Sequence, residues 1–158
     1  MKDVLLYIGP EYAQETIENI LGSSYKILAP EGVPDKVIPI FEECDVFFDA
    51  SMKVPVSADN IHNAKNLKLI VTATTGANHI DRVALEQRGV PLLTLKGQKE
   101  ILQELTAAAE QSWLLLMACA RNLRGAIHHV EDSLWNRVEF PGIMLKGKTI
   151  GIIGLGRI

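Results

Sequence analysis

A doubly wound α/β fold built on a parallel sheet is what this sequence predicts, and three observations predict it. Short apolar runs recur through residues 1–96, segments with helical spacing separate them, and glycine, proline or capping residues mark nearly every junction. Parallel neighbours need crossover connections, so strands alternating with helices imply a parallel sheet covered by helices on both faces.

The first run, Val4 to Ile8, ends at Gly9-Pro10. Pro10 can open a helix in which Ala13, Ile17, Ile20 and Leu21 share one face before Gly22 ends it. Tyr25 to Leu28 gives a second strand, Pro34 to Glu43 a helix, and Val46 to Phe48 a third strand entered from Asp45. Ser57 can cap a short helix carrying Ile61 and Ala64, with Asp59 near its positive end, and Leu67 to Thr72 forms the fourth strand. Asp81 caps a helix to Arg88, Gly89 stops it, and Pro91 to Leu93 is the fifth strand. The rhythm is that of a flavodoxin-like first domain, residues 1–96. Ligands of such sheets bind beyond the carboxyl ends of the strands, so the loops after Phe48, Thr72 and Leu93 are where chemistry is expected.

Composition narrows the function. At 158 residues and 47% hydrophobic content the chain can bury one sizeable core and is neither disordered nor fibrous. A net charge of -3 gives no basic field for nucleic acid, and the apolar stretches are too short or too interrupted to span a bilayer. Cys44 and Cys119 match no metal spacing, and no charged-then-apolar leader opens the chain, so a reduced, cytoplasmic protein without a metal site is the expectation.

From Gln98 to Arg121, Ile101, Leu102, Leu105, Ala108, Ala109, Trp113, Leu116, Met117 and Ala120 recur at helical spacing. Leu114, Leu115, Ala118 and Cys119 widen that stripe almost all round, which predicts one long buried helix, with Met117 and Cys119 as packing residues. Adjacent histidines on a helix point to different faces, so His128 and His129 read as ordinary surface residues. Thr149, Ile150, Ile152 and Ile153 then read as a buried parallel strand leading into Gly154 and Gly156, spaced as the first two glycines of G-x-G-x-x-G. Gly154 would allow the tight turn. Gly156 would let a pyrophosphate approach the amides of Arg157 and Ile158 at a helix start. On its own this G-x-G is equally a glycine turn closing a core strand.

Leu145-Lys146-Gly147-Lys148-Thr149 leading into Ile150 to Ile158 resembles the cofactor-domain entry of the D-isomer-specific 2-hydroxyacid dehydrogenases, and further segments from about Cys44 onward resemble that family in order. The resemblance makes residues 97–158 the crossover helices and first strand of an incomplete Rossmann-type NAD-binding domain, and residues 1–96 the substrate domain. Ala73-Thr74-Thr75-Gly76-Ala77-Asn78-His79-Ile80-Asp81 is similar to the family's A-G-x-G-x-D-x-I-D, with Thr74 for the first glycine and Asn78 for the aspartate. That segment's amides hold the substrate carboxylate, which assigns Thr75, Gly76 and Ala77 to substrate and Thr75 also to cofactor. A plain glycine turn capped by Asn78 and Asp81 is the other reading, with His79 a surface or capping residue.

In Asp49-Ala50-Ser51-Met52-Lys53, where the family often has an arginine or serine near the substrate, Ser51 and Lys53 are candidates, although a solvated loop accounts for the segment as well. Thr94-Leu95-Lys96-Gly97 stands at the family's Asn-Thr-Pro-Gly crossover without its asparagine or proline. Ala109-Glu110-Gln111-Ser112 resembles Ala-Glu-His-Thr, and Trp135 would pack against the cofactor domain.

The resemblance implies an NAD- or NADP-dependent oxidoreductase acting on a small D-2-hydroxy or 2-oxo acid of phosphoglycerate, glycerate or lactate type. Its cofactor contacts would include Thr75, Gly154, Gly156, Arg157 and Ile158. The family's carboxylate-binding arginine and its glutamate-supported histidine lie downstream of the fingerprint. No catalytic residue is therefore assigned here, and these 158 residues read as an inactive fragment. A binding or receiver module with the same β-α alternation is the alternative, although a receiver wants clustered acids after its first strand and Gly9-Pro10-Glu11 supplies one. A third possibility is a truncated assembly piece. The apolar stripe of residues 98–158 further predicts a homodimer with Leu105, Trp113 and Leu116 at or near the contact.

Overall fold

The computed structural model describes residues 2–156 and 158, which divide into two compact units, one up to Gln98 and one from Lys99 onward. In the first unit, β1 (Asp3–Ile8), β2 (Tyr25–Leu28), β3 (Val46–Asp49), β4 (Leu69–Thr72) and β5 (Leu92–Leu93) form one sheet in the order β2-β1-β3-β4-β5, with every pair parallel. This is the flavodoxin-like order the alternation predicts.

Side-chain alternation divides the core in two. Leu6, Ile8, Phe47 and Ile70 face α2 (Pro34–Glu43), α3 (Ala58–Asn63) and α4 (Arg82–Arg88), where they meet Val37, Phe41, Ile61 and Leu85. Phe41 and Phe47 pack edge to face with centroids 5.2 Å apart. Leu5, Tyr7 and Val46 face the other way, against Ile17 of α1 (Glu11–Leu21). Ile20, expected on the buried face of α1, is 68% exposed; Ile17 alone is fully covered, with Ala13 and Leu21 partly so.

The punctuation works as its chemistry suggests. Ser57 and Asn60 form a reciprocal capping box on α3, and the Asp81 carboxylate accepts the Ala84 N–H at 3.0 Å. Gly89 closes α4 with φ +66, a left-handed conformation that costs glycine little. Arg88 donates to the carbonyls of Ile61 and Ala64, so the end of α4 ties down the end of α3.

In the second unit the expected single helix is two, α5 (Lys99–Gln103) and α6 (Ala107–Ala120). The Leu105 N–H turns back to Leu102 O at 3.3 Å, and the Thr106 hydroxyl donates to Glu110 at 2.5 Å. Such local bonds suit a helix start rather than an interior. Burial along the stripe also differs. Leu102 and Ala120 are covered, Trp113 is 59% exposed, and Leu114, Leu115, Met117 and Cys119 are exposed, so Met117 and Cys119 are not packing residues here.

α7 (Leu123–Glu131) follows, and Trp135 beyond it is exposed rather than packed. His128 is a surface residue as expected, but His129 is not. Its ring packs edge to face on Phe140 at 5.0 Å, and Nε2 accepts the Asn136 N–H at 2.9 Å. The strand expected at Thr149 to Ile153 is absent, and Ile153 is fully exposed. A strand exists only by pairing, and among the described residues no strand lies beside this segment.

At the amino-terminal edge of the sheet, the Asp45 carboxylate accepts the Val4 N–H at 2.8 Å and meets Lys68 Nζ at 2.9 Å. The Val4 amide first, and Lys68 second, hold its carboxyl below the usual range. A carboxyl depressed in the folded state adds stability above its unfolded pKa and loses it as the pH falls through the folded value. Asp45→Asn is therefore expected to lower the urea midpoint near pH 7, and the gap from wild type should close near pH 2. A gap that persists in acid would show that the charge is not its source.

Candidate active site

Register places the chemistry. Ile8 is level with Asp49, and Asp49 with Thr72, so three neighbouring strands release their loops along one edge of the sheet. Main-chain bonds tie those loops, and the one after β5, together: Ala50 N–H donates to Ile8 O at 2.6 Å, Ala73 N–H to Asp49 O at 3.0 Å, and Leu95 N–H to Thr74 O at 2.9 Å.

Asp49 departs most from expectation. The loop it begins reads as solvated, yet Asp49 is fully buried. Its Oδ1 accepts the Ser51 N–H and the Ser51 hydroxyl, each at 2.8 Å. The Met52 N–H points between the two oxygens at 3.2 Å from each, and Met52 takes a left-handed φ of +58. A buried carboxylate is tolerated when its lone pairs are filled in this way.

The remaining donor comes from the next loop. His79 Nε2 lies 2.6 Å from Asp49 Oδ2, and the ring is only 9% exposed, so His79 is neither a surface nor a capping residue. Its Nδ1 is sealed from solvent without a hydrogen-bond partner. With one nitrogen on Asp49 and the other enclosed, this imidazole has no free face for a substrate proton. The sequence reading puts Asp49 at the head of a solvated loop and His79 on the surface or at a cap, with nothing joining the two. The signal that could have joined them is that an acid ending a central strand is buried and needs a donor, and the adjacent parallel strand's loop carries a histidine.

The loop 73–79 itself is ordered by small side chains. Thr74 Oγ1 donates to Gly76 O at 2.5 Å, Thr72 Oγ1 to Thr74 O at 3.4 Å, and Ile80 N–H to Ala77 O at 3.2 Å. Thr75 is exposed, Gly76 half-buried with open space where a Cβ would stand, and Ala77 fully buried in the core. Ser51 is half-buried and spends its hydroxyl inward: it donates to Asp49 and accepts the Lys53 N–H at 3.1 Å. Lys53 is exposed at the same edge. Tyr7 donates to Pro10 O at 3.1 Å, and burial, then Tyr12 and Asp49, pushes its phenol up.

In the second unit Gly154 has φ +85, the left-handed turn the fingerprint calls for, and Gly156 has open space around a notional Cβ. Gly154, Leu155, Gly156 and Ile158 line an open hollow, and among the described residues nothing lies within 4 Å of a Cβ placed on either glycine. Ile158 is not helical, and Arg157 lies outside the described residues. Among the described residues no group of three His, Cys, Asp or Glu could hold a metal. Cys44 is a buried thiol, pushed up to about 12 chiefly by burial.

Comparison with known proteins agrees with this architecture. The sequence model of the family described as D-isomer specific 2-hydroxyacid dehydrogenase, catalytic domain, matches residues 4–114. The chain is 41% identical over 103 residues to a D-3-phosphoglycerate dehydrogenase of Archaeoglobus fulgidus, covering 65% of this chain and 19% of that protein. It is 33% identical over 124 residues to a hydroxypyruvate reductase of Thermotoga maritima, covering 78% of this chain and 39% of that one. It therefore spans well under half the length of these relatives. Among solved structures, the D-lactate dehydrogenase of Aquifex aeolicus complexed with NAD and lactic acid superposes with a TM-score of 0.75 at 19% identity, covering 97% of this chain and 45% of that one. That likeness speaks for the fold.

Proposed function

The chain belongs to the D-isomer specific 2-hydroxyacid dehydrogenase family, and we propose that residues 1–96 are the substrate domain of an NAD- or NADP-dependent oxidoreductase acting on a small D-2-hydroxy or 2-oxo acid. The observation that carries this reading is the family match over residues 4–114, which spans both loops tied to Asp49. In this reading the amides of Thr75, Gly76 and Ala77 receive the acid's carboxylate, with Ser51 beside them. Thr75, Gly154, Gly156, Arg157 and Ile158 would hold the dinucleotide, which when bound supplies the nicotinamide that exchanges hydride with C2 of the acid. Neither Ser51 nor His79 serves as the base, since each spends its polar atoms on Asp49 or is enclosed. Proton transfer falls to groups beyond the fingerprint.

Residues 1–158 expressed alone are expected to turn over no NADH with glyoxylate, hydroxypyruvate or 3-phosphohydroxypyruvate. The same residues continued past Ile158 by the remainder of the Thermotoga maritima relative should reduce at least one of them. Turnover by the shorter polypeptide, or none by the longer, would contradict the assignment. In the longer protein Gly156→Val should raise the cofactor KM at least about tenfold, because a Cβ and its methyls would occupy the space the pyrophosphate needs. An unchanged KM would mean the glycines serve another purpose.

Residues 97–158, the opening of the cofactor domain in this reading, also carry the proposed homodimer contact. Of the residues expected at the contact, Leu105 and Trp113 are more than half exposed and Leu116 is half-buried, and covering a large apolar side chain is worth about 1.5–3 kcal/mol. A second copy is the partner that supplies matching surface by symmetry. Sedimentation equilibrium at micromolar concentration should show a dimer that Trp113→Glu shifts toward monomer; a wild-type monomer would overturn this contact.

A further inference from the structure

Asp49 bonds to both ends of the loop 73–79. Its main-chain oxygen accepts the Ala73 N–H where the chain leaves β4, and its carboxylate takes His79 Nε2 where the loop ends. The same carboxylate fixes the loop after β3 through Ser51 and through Met52, whose left-handed backbone would otherwise be costly. His79 is pinned from its other side as well, since its carbonyl accepts the Val56 N–H at 2.8 Å and Ile80 bridges Val56 in parallel register. Among the described residues Asp49 is the ring's one hydrogen-bond partner, and Nδ1 is enclosed without one. Burying a ring nitrogen without a partner is unfavourable, and such a cost persists where the rest of the contact has a use.

We propose that Asp49 and His79 are a positioning pair, a clamp between the loops after β3 and β4 that presets the spacing of Ser51 from the amides of Thr75, Gly76 and Ala77. Neither side chain touches the substrate. The pair acts by holding a carboxylate-binding loop in its receiving shape before the acid arrives, which removes an ordering cost from binding. Its link to catalysis rests on the function proposed above; the clamp itself does not.

Two variants separate the clamp from bulk packing. Leucine at position 79 fills the space without a donor, whereas glutamine can return an N–H near the position of Nε2. In the 158-residue polypeptide, His79→Leu should speed hydrogen exchange of the Ser51, Met52 and Ala73 amides at least about tenfold, with β1 and α2 amides unchanged. His79→Gln should return those rates to within about threefold of wild type. Unchanged loop rates in His79→Leu, a rise spread evenly over β1 and α2, or a glutamine variant no better than leucine, unfolding included, would overturn the proposal.

In the protein continued past Ile158, His79→Leu should raise the KM for the 2-oxo acid about tenfold while the NADH KM and kcat stay within about twofold. A fall in kcat with unchanged KM would contradict a positioning role. If wild type itself reduces no 2-oxo acid, the functional assignment fails, while the exchange rates still decide the clamp.

Discussion

The buried carboxylate of Asp49 is the constraint from which the candidate site of this molecule follows. A fully enclosed anion at the end of a central strand is stable only if every lone pair finds a donor, and the donors come from two loops distant in sequence. Meeting that demand brings the turn at Ser51 and Met52 against the carboxyl end of β3 and draws His79 inward beneath the loop that begins at Ala73. The parallel register makes this possible, because Ile8, Asp49 and Thr72 end their strands side by side. The polar interaction and the sheet geometry thus define the same place, beyond the carboxyl ends of the strands, where open α/β sheets receive their ligands.

The two units show what packing contributes to secondary structure. In residues 1–98 each strand has a neighbour and most apolar side chains of the central strands find cover, so the elements form close to where the residue pattern puts them. In residues 99–158 similar apolar patterns leave Trp113, Leu114 and Ile153 exposed, and the β-branched run at Thr149 to Ile153 stays unpaired. Apolar periodicity states which surface seeks burial, and whether a strand results depends on a partner backbone.

What the sequence made legible follows from the same division. Local signals were sufficient for α2, for the Ser57 and Asp81 caps and for the Gly89 stop, because each depends on a few neighbouring residues. The order of the strands was legible because β-α alternation leaves few right-handed, doubly wound solutions. The break at Thr106 was hidden, since a hydroxyl-to-Glu110 bond competes with helix continuation only once the geometry is set. The Asp49–His79 contact was hidden for a different reason. It joins residues far apart in sequence, and an acid after an apolar run reads as the start of a solvated loop unless its burial is known. The glycines at 154 and 156 were the easiest feature to see; Gly154 takes a left-handed φ of +85 and Gly156 has open space at a notional Cβ, while the strand before them does not form.

The central claim is that the loops bound together by Asp49 receive a small 2-oxo acid, and an NMR titration of the 158-residue polypeptide with glyoxylate tests it most directly. At ligand concentrations on the order of millimolar, amide shifts should concentrate at Ser51, Thr75, Gly76 and Ala77. Shifts confined to the polar hollow between Gly9 and Glu31, or none at all, would contradict the account.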